Sequence, residues 1–167
     1  MVQDALSEAK KLGASDAAVE VSEGCGLSVS VRLGELENVE RNRDKSLGVT
    51  VYSGQRRGSA STSDFSTAAM RQTVRAAFDI ARFTAEDPAA GLPDERDQAS
   101  AAQARRDLDL FYPWSIDAAQ AAELARACEE AAMSTDPRIA NSEGSGVSAQ
   151  QFHFWSGDRK STRLNSS

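Results

Sequence analysis

Apolar residues recur at every second position through the first third of the chain: Val19 and Val21, then Leu27, Val29, Val31 and Leu33, then Leu47, Val49 and Val51. A period of two places these side chains on one face of extended backbone and Ser28, Ser30 and Arg32 on the other. A helix cannot bury such a set, so this region must form sheet with one covered and one wetted face. Gly24-Cys25-Gly26 reads as the point where two strands meet, and Leu33-Gly34-Glu35 as a second tight reversal. Beyond it, Leu36 to Glu40 and Leu47 to Val51 repeat the alternation. The intervening RNRDKS, Arg41 to Ser46, reads as a solvated turn because its charges are mixed. A fifth strand is expected from Gln55 to Thr62, whose small residues suit close packing under a helix.

Three segments switch to helical periodicity. In the first, Ala5, Leu6, Ala9 and Leu12 share a face and Gly13 terminates it. In the second, Ser66 is the expected N-cap, Met70, Val74, Ala77, Phe78 and Ala81 form the stripe, and the end falls near Thr84, before Asp87-Pro88. The third opens on a capping box, Asp117 with Gln120, and a hydrophobic staple, Ile116 with Ala121. Its expected buried stripe is Ala121, Leu124, Cys128 and Ala131, running to about Met133. Arg138 to Asn141 and Val147 to Trp155 read as further strand material. The fold class is therefore α+β: an antiparallel sheet of about five strands with two or three packed helices.

Four stretches follow from these patterns: an N-terminal α+β domain over 1–84, an extended surface connection over 85–116, a helix and the start of further strands over 117–157, and a tail over 158–167. Leu108, Leu110, Phe111, Tyr112 and Trp114 are the expected apolar anchors of the connection. The tail, DRKSTRLNSS, departs from the composition of the rest and matches one reading frame of a widely used short-read sequencing adapter. The expectation is that native sequence stops near Gly157 and that the chain is the front of a longer protein.

Nineteen Lys and Arg against 25 Asp and Glu give a net charge of −6, which argues against a phosphate-neutralising surface and hence against nucleic acid as a partner. Cys25 and Cys128 form neither a disulfide framework nor a metal spacing, which suits a reducing compartment, the cytoplasm. No apolar run approaches the roughly 20 residues that span a bilayer, and no membrane role is expected.

Candidate chemistry is sparse. His153 is the sole histidine, and a zinc protease site needs two or three converging ligands, so an ordinary strand position outweighs a partner contact. Cys25 and Cys128 lack a neighbour that would activate a thiolate. Ser59 to Asp64 offers hydroxyls without a nucleophile elbow, and reads as strand end plus helix cap. Glycines at 24, 26, 34, 144 and 146 assemble no phosphate-cradling loop. Arg56-Arg57 and Arg41, Arg43 and Lys45 read as solvated faces, since acidic residues interrupt both. The one feature with a functional use is an exposed strand edge, which can accept an extended peptide through main-chain hydrogen bonds.

Three stretches taken together carry a resemblance: GLSVSVRLGELENVERNRDKSLGVTVYSGQRRGSASTSDFS, then TVRAAFDIARFTAEDPAAGLPD, then DLDLFYPWSI with the helix and RIANSEG that follow. They resemble the amino-terminal part of the TldD/PmbA metalloprotease family, on the PmbA (TldE) side, from about residue 15 to 146. The resemblance implies a cytoplasmic bacterial or archaeal subunit that pairs with a TldD-type subunit in a hetero-oligomer cleaving unfolded or modified peptides. It also implies links to peptide-antibiotic maturation, antitoxin degradation and, by an older name, modulation of DNA gyrase. The family's zinc-binding HExxxH motif belongs to TldD; this sequence contains none, so no catalytic, metal or cofactor residue carries over to it, and zinc is expected in the TldD partner. The role implied for this stretch is a wall presenting strand edges to an extended peptide. The alternatives are a peptide-binding or assembly module without proteolysis, and a gyrase modulator.

Overall fold

A computed structural model describes residues 1–97, 103, 107, 109–158 and 165–166. In chain order it contains α1 (Val2–Lys11), β1 (Asp16–Arg32), β2 (Glu35–Ser53), β3 (Arg56–Thr62), α2 (Thr67–Phe83), a short 3-10 turn (Glu95–Asp97), α3 (Ala118–Met133), β4 (Ser145–Asp158) and β5 (Asn165–Ser166). The strands form one sheet in the order β3-β2-β1-β4-β5, and the fold is α+β as expected. The chain divides into two compact units that share the long strands between them. One comprises Met1–Glu23, Asp44–Leu110 and His153–Ser167; the other comprises Gly24–Arg43 and Phe111–Phe152. Expected anchor Leu108 and tail residues Arg159 to Leu164 and Ser167 lie outside the described residues.

In the first unit the alternating set does what the period demands. Ala17, Val19 and Val21 of β1 and Leu47, Val49 and Val51 of β2 share a core with Val2, Ala5, Leu6 and Ala9 of α1 and Met70, Val74 and Ala77 of α2. Gly13, at φ +92°, ends α1 in the left-handed region that a glycine enters without strain. The β2–β3 ladder is antiparallel, with Val49 opposite Ala60 and Val51 opposite Gly58. Gly58 lets α2 settle directly on the sheet: a Cβ there would collide with the Ala77 carbonyl oxygen and the Ala81 amide nitrogen and reach 3.0 Å from the Ile80 Cβ. The close packing under a helix expected for this segment is thus a backbone-to-backbone approach. Ser66 caps α2, its hydroxyl accepting the Ala69 N–H at 3.2 Å.

In the second unit β1 and β2 form a hairpin through Leu33 (φ 51°) and Gly34 (φ 80°), the left-handed pair that a two-residue turn matched to strand twist requires. Leu33 holds a backbone region unfavourable to a branched-chain residue, so something must pin the turn. Glu129 of α3 does so, accepting the Leu33 and Gly34 N–H groups at 2.8 Å each, while the Arg126 Nε donates to the Gly34 carbonyl at 2.9 Å. The core beneath is Leu27, Val29 and Val31 against Ala121, Ala122 and Ala125, with Ile116, Ala118 and Val147 at its margin. The capping box of α3 is present: the Gln120 N–H donates to Asp117 at 2.8 Å and the Asp117 N–H to the Gln120 side chain at 3.1 Å. Ser28 and Ser148 join at 2.6 Å, and a Cβ added at Gly146 would sit 3.3 Å from the Val29 carbonyl oxygen. Partner numbers rise on β4 as they fall on β1, so these strands run antiparallel.

Five local expectations need correction. Gly24-Cys25-Gly26 does not separate two strands: β1 runs through it, and the parity of its buried residues is the same on both sides. Glycine here serves close approach, with a Gly24 Cβ 3.4 Å from the Phe152 Cβ and a Gly26 Cβ 3.4 Å from the Gln150 Cγ. RNRDKS is solvated but extended, forming the middle of β2, whose first twelve residues are all exposed. The buried face of α3 is Ala121, Ala122, Ala125 and Glu129, not Ala121, Leu124, Cys128 and Ala131; Leu124 is 49% exposed and Cys128 is exposed. The two carboxylate bonds to the hairpin turn rotate that face by one residue from the apolar stripe. Arg138 to Asn141 is turn and irregular backbone, held by the Arg138–Asp136 pair at 2.7 Å, and β4 starts at Ser145. Leu110, Phe111, Tyr112 and Trp114 are not buried anchors but lie 65%, 55%, 75% and 52% exposed.

Candidate functional site

β3 pairs with β2 only from Leu47 onward, and β5 pairs with β4 at Trp155 and Ser156. Neither reaches the second unit, where, among the described residues, the sheet narrows to β2, β1 and β4 with β2 and β4 at its margins. The two margins differ in character. Glu35 to Arg43 reads ELENVERNR, a charged margin of the kind that discourages strand addition, whereas Ser145 to Phe152 reads SGVSAQQF and carries no charge.

Between these margins lies a cleft of about 550 Å³. Its floor comes from Cys25, Gly26 and Leu27 of β1, with Arg41 and Asn42 of β2 on one side, Ser148 to Gln151 of β4 on the other, and Tyr112, Trp114 and Ile116 of the connecting segment at the rim. Its size is that of a ligand cleft, and its lining mixes aromatic and aliphatic surface with the polar side chains of Arg41, Asn42, Ser148, Gln150 and Gln151. The sequence offers Tyr112 and Trp114 as apolar anchors of the surface connection and gives Asn42, Gln150 and Gln151 no role. The signal it holds for the cleft is FYPW itself, four residues rich in aromatic surface with no complementary apolar stripe in the helices.

The sequence-selected residues do not converge. His153 is exposed on β4 and stacks on Trp155, ring centroids 5.8 Å apart at 20°. Cys25 lines the cleft, while Cys128 stands on the exposed side of α3. Ser59 shares a hydrogen bond of 3.0 Å with the Thr50 hydroxyl, a partner that takes no proton at neutral pH. Asp64 accepts the Ser66 N–H at 2.8 Å, and this bond, with one from the Ser66 hydroxyl, holds its carboxyl below the usual range. The hydroxyl run is therefore strand end and helix cap. Arg56 donates to the Arg82 carbonyl at 3.1 Å and to Glu86 at 3.3 Å, and the Lys45 ammonium sits 5.0 Å over the Phe65 ring. Of the basic residues singled out, only Arg41 meets the cleft. Glu129 lies below the usual glutamate range because the Gly34 N–H, a Ser142 hydrogen bond and the Leu33 N–H favour its ionised form. Among the described residues no three His, Cys, Asp or Glu side chains are grouped to hold a metal ion. No helix among them is long and apolar enough to cross a membrane.

Residues 17–81 match the family model described as PmbA/TldA metallopeptidase domain 1, and residues 111–167 match the PmbA/TldA metallopeptidase central domain. The chain belongs to the PmbA/TldD metallopeptidase family. It is 49% identical over 147 residues to Metalloprotease PmbA of Escherichia coli O157:H7, covering 86% of this chain and 32% of that protein. To the Metalloprotease PmbA homolog of Haemophilus influenzae it is 45% identical over 148 residues, covering 89% and 32%. The chain thus spans about a third of the length of these curated relatives. Among solved structures, a candidate modulator of DNA gyrase from Bacteroides thetaiotaomicron superposes with a TM-score of 0.82 at 22% identity, over 99% of this chain and 37% of that one. TldE from Thermococcus kodakarensis superposes with a TM-score of 0.74 at 11% identity, over 98% and 36%. At those identities the structural matches establish a shared fold.

Proposed function

We propose that this chain is part of a PmbA/TldE-type subunit that works with a TldD-type partner as a zinc-dependent peptidase in the cytoplasm, the partner holding the metal. The observation that carries the reading is the 49% identity to Metalloprotease PmbA over 147 residues, supported by the TldE fold match. The part described here contributes no group to bond cleavage. Its contribution is a sheet with an uncharged margin, on which a peptide in extended form adds main-chain hydrogen bonds, beside a cleft that receives side chains. Unfolded or modified peptides are the substrates, because only an extended backbone offers its N–H and C=O groups to a strand margin.

The test is to purify the full-length protein with and without a TldD-type subunit and follow cleavage of an unfolded peptide, with and without a zinc chelator. Cleavage that needs both subunits and stops on chelation supports the proposal. Cleavage by the full-length protein alone contradicts it. The gyrase-modulator reading is favoured by one observation, the structural neighbour of that description. It requires salt-dependent DNA retention, against which the net charge of −6 argues.

A further inference from the structure

We infer that the cleft of the second unit is a specificity site for extended peptides carrying an acidic side chain next to apolar ones, with Arg41 as the group that reads the acid. Four features support this. Among the described residues that line the cleft, Arg41 is the one with a formal charge, and none is a carboxylate. A guanidinium presents a planar fork that matches a carboxylate in two parallel hydrogen bonds, whereas a lysine or arginine side chain entering here would meet like charge. Tyr112 and Trp114 rim the same space at 75% and 52% exposure, giving stiff aromatic surface on which an apolar side chain can pack. Gln150 and Gln151 supply amides, each both donor and acceptor, the chemistry that satisfies a peptide backbone without preference for sequence. A volume of about 550 Å³ admits a few side chains rather than a folded domain.

The site deepens the peptide-handling role proposed above and rests on it, but it is tested by binding rather than cleavage. Cys25 lies in the cleft and Cys128 on α3 does not, so the two thiols act as reporter and internal control. The full-length protein would be treated with a thiol-specific reagent, with modification at each cysteine followed by mass spectrometry. Two probes are compared: a blocked hexapeptide with one aspartate between leucines, and the same peptide with lysine in place of the aspartate. The aspartate peptide is expected to slow modification of Cys25 at least fivefold and leave Cys128 unchanged, and the lysine peptide to leave both unchanged. In Arg41→Gln the protection disappears while the Cys128 rate and the circular dichroism spectrum stay as in the parent. Equal protection by both peptides, protection of neither cysteine, or protection retained in Arg41→Gln overturns the inference. So does a Cys25 that is unreactive without peptide, which would mean that another segment of the full-length protein fills the cleft. Protection in the absence of any zinc-dependent cleavage would overturn the peptidase role and leave the site standing.

Discussion

Replacing Gly58 with alanine puts a carbon where α2 already lies. The new Cβ would overlap two backbone atoms, the Ala77 carbonyl oxygen and the Ala81 amide nitrogen, and touch the Ile80 Cβ at 3.0 Å. No rotamer change relieves a clash with helix backbone, so α2 must retreat from β3 by about 1 Å to restore ordinary contact. The retreat loosens Met70, Val74, Ala77 and Ala81, each 3% exposed or less. Overpacking of this kind costs about 1–3 kcal/mol, and a backbone obstacle puts this case at the upper end. Alanine recovers about 0.4–1 kcal/mol by restricting the unfolded chain. The net is a loss of about 2 kcal/mol, or a fall in melting temperature of about 4–8 °C for a chain of this size. Thermal unfolding followed by far-ultraviolet circular dichroism measures it. Gly48→Ala is the control, since its nearest neighbour, the Glu20 carbonyl oxygen, is 4.0 Å from the added Cβ, and its melting temperature should match or exceed the parent's. A Gly58→Ala protein melting within about 1 °C of the parent, or both variants falling equally, would refute the direct seating of α2 on β3.

Val49 is 1% exposed in the first core, so Val49→Asp buries an unpaired carboxylate and should lower stability by about 3 kcal/mol or more, whereas Arg56→Ala, losing a partly exposed pair with Glu86, should change it by less than about 1 kcal/mol; equal melting temperatures would contradict the strand orientation. Asp117→Ala removes the N-cap of α3 and should cost about 0.5–2 kcal/mol in urea unfolding, with Asp117→Asn recovering most of it. Glu129 is held ionised in the folded state below its unfolded range, so its bonds stabilise the hairpin above about pH 4.3 and are lost as pH falls through the lower folded value. Denaturation curves at pH 7 and pH 3 should therefore differ less for Glu129→Gln than for the parent, and superimposable differences would remove Glu129 from that role.

What was legible in the sequence was whatever one periodicity decides. The alternation of Val19, Val21, Val49 and Val51 placed the sheet and its buried face, and the capping residues Ser66 and Asp117 placed two helix starts to the residue. The differences share a physical cause: local composition does not by itself fix local geometry. Glycines 24 and 26 look like a turn, yet they serve the neighbouring strands, which is a tertiary contact. Arg41 to Ser46 looks like a loop because it is polar on both sides, yet a strand can be wetted on both faces. The face of α3 could not be found from its apolar stripe because a charged residue, Glu129, is the one that turns inward, drawn by two N–H groups more than ninety positions away. The cleft was hidden for the same reason: its floor, sides and rim come from four separated stretches. The family, by contrast, was legible from long ordered phrases and needed no geometry.

The most direct test of the central claim is the metal content of separated subunits. The full-length protein and a TldD-type partner would be purified as a complex, parted under mild conditions and each analysed for zinc. The account predicts about one zinc per partner subunit and none above background on this protein. Stoichiometric zinc on this protein, with peptide cleavage persisting in the partner's absence, would contradict it.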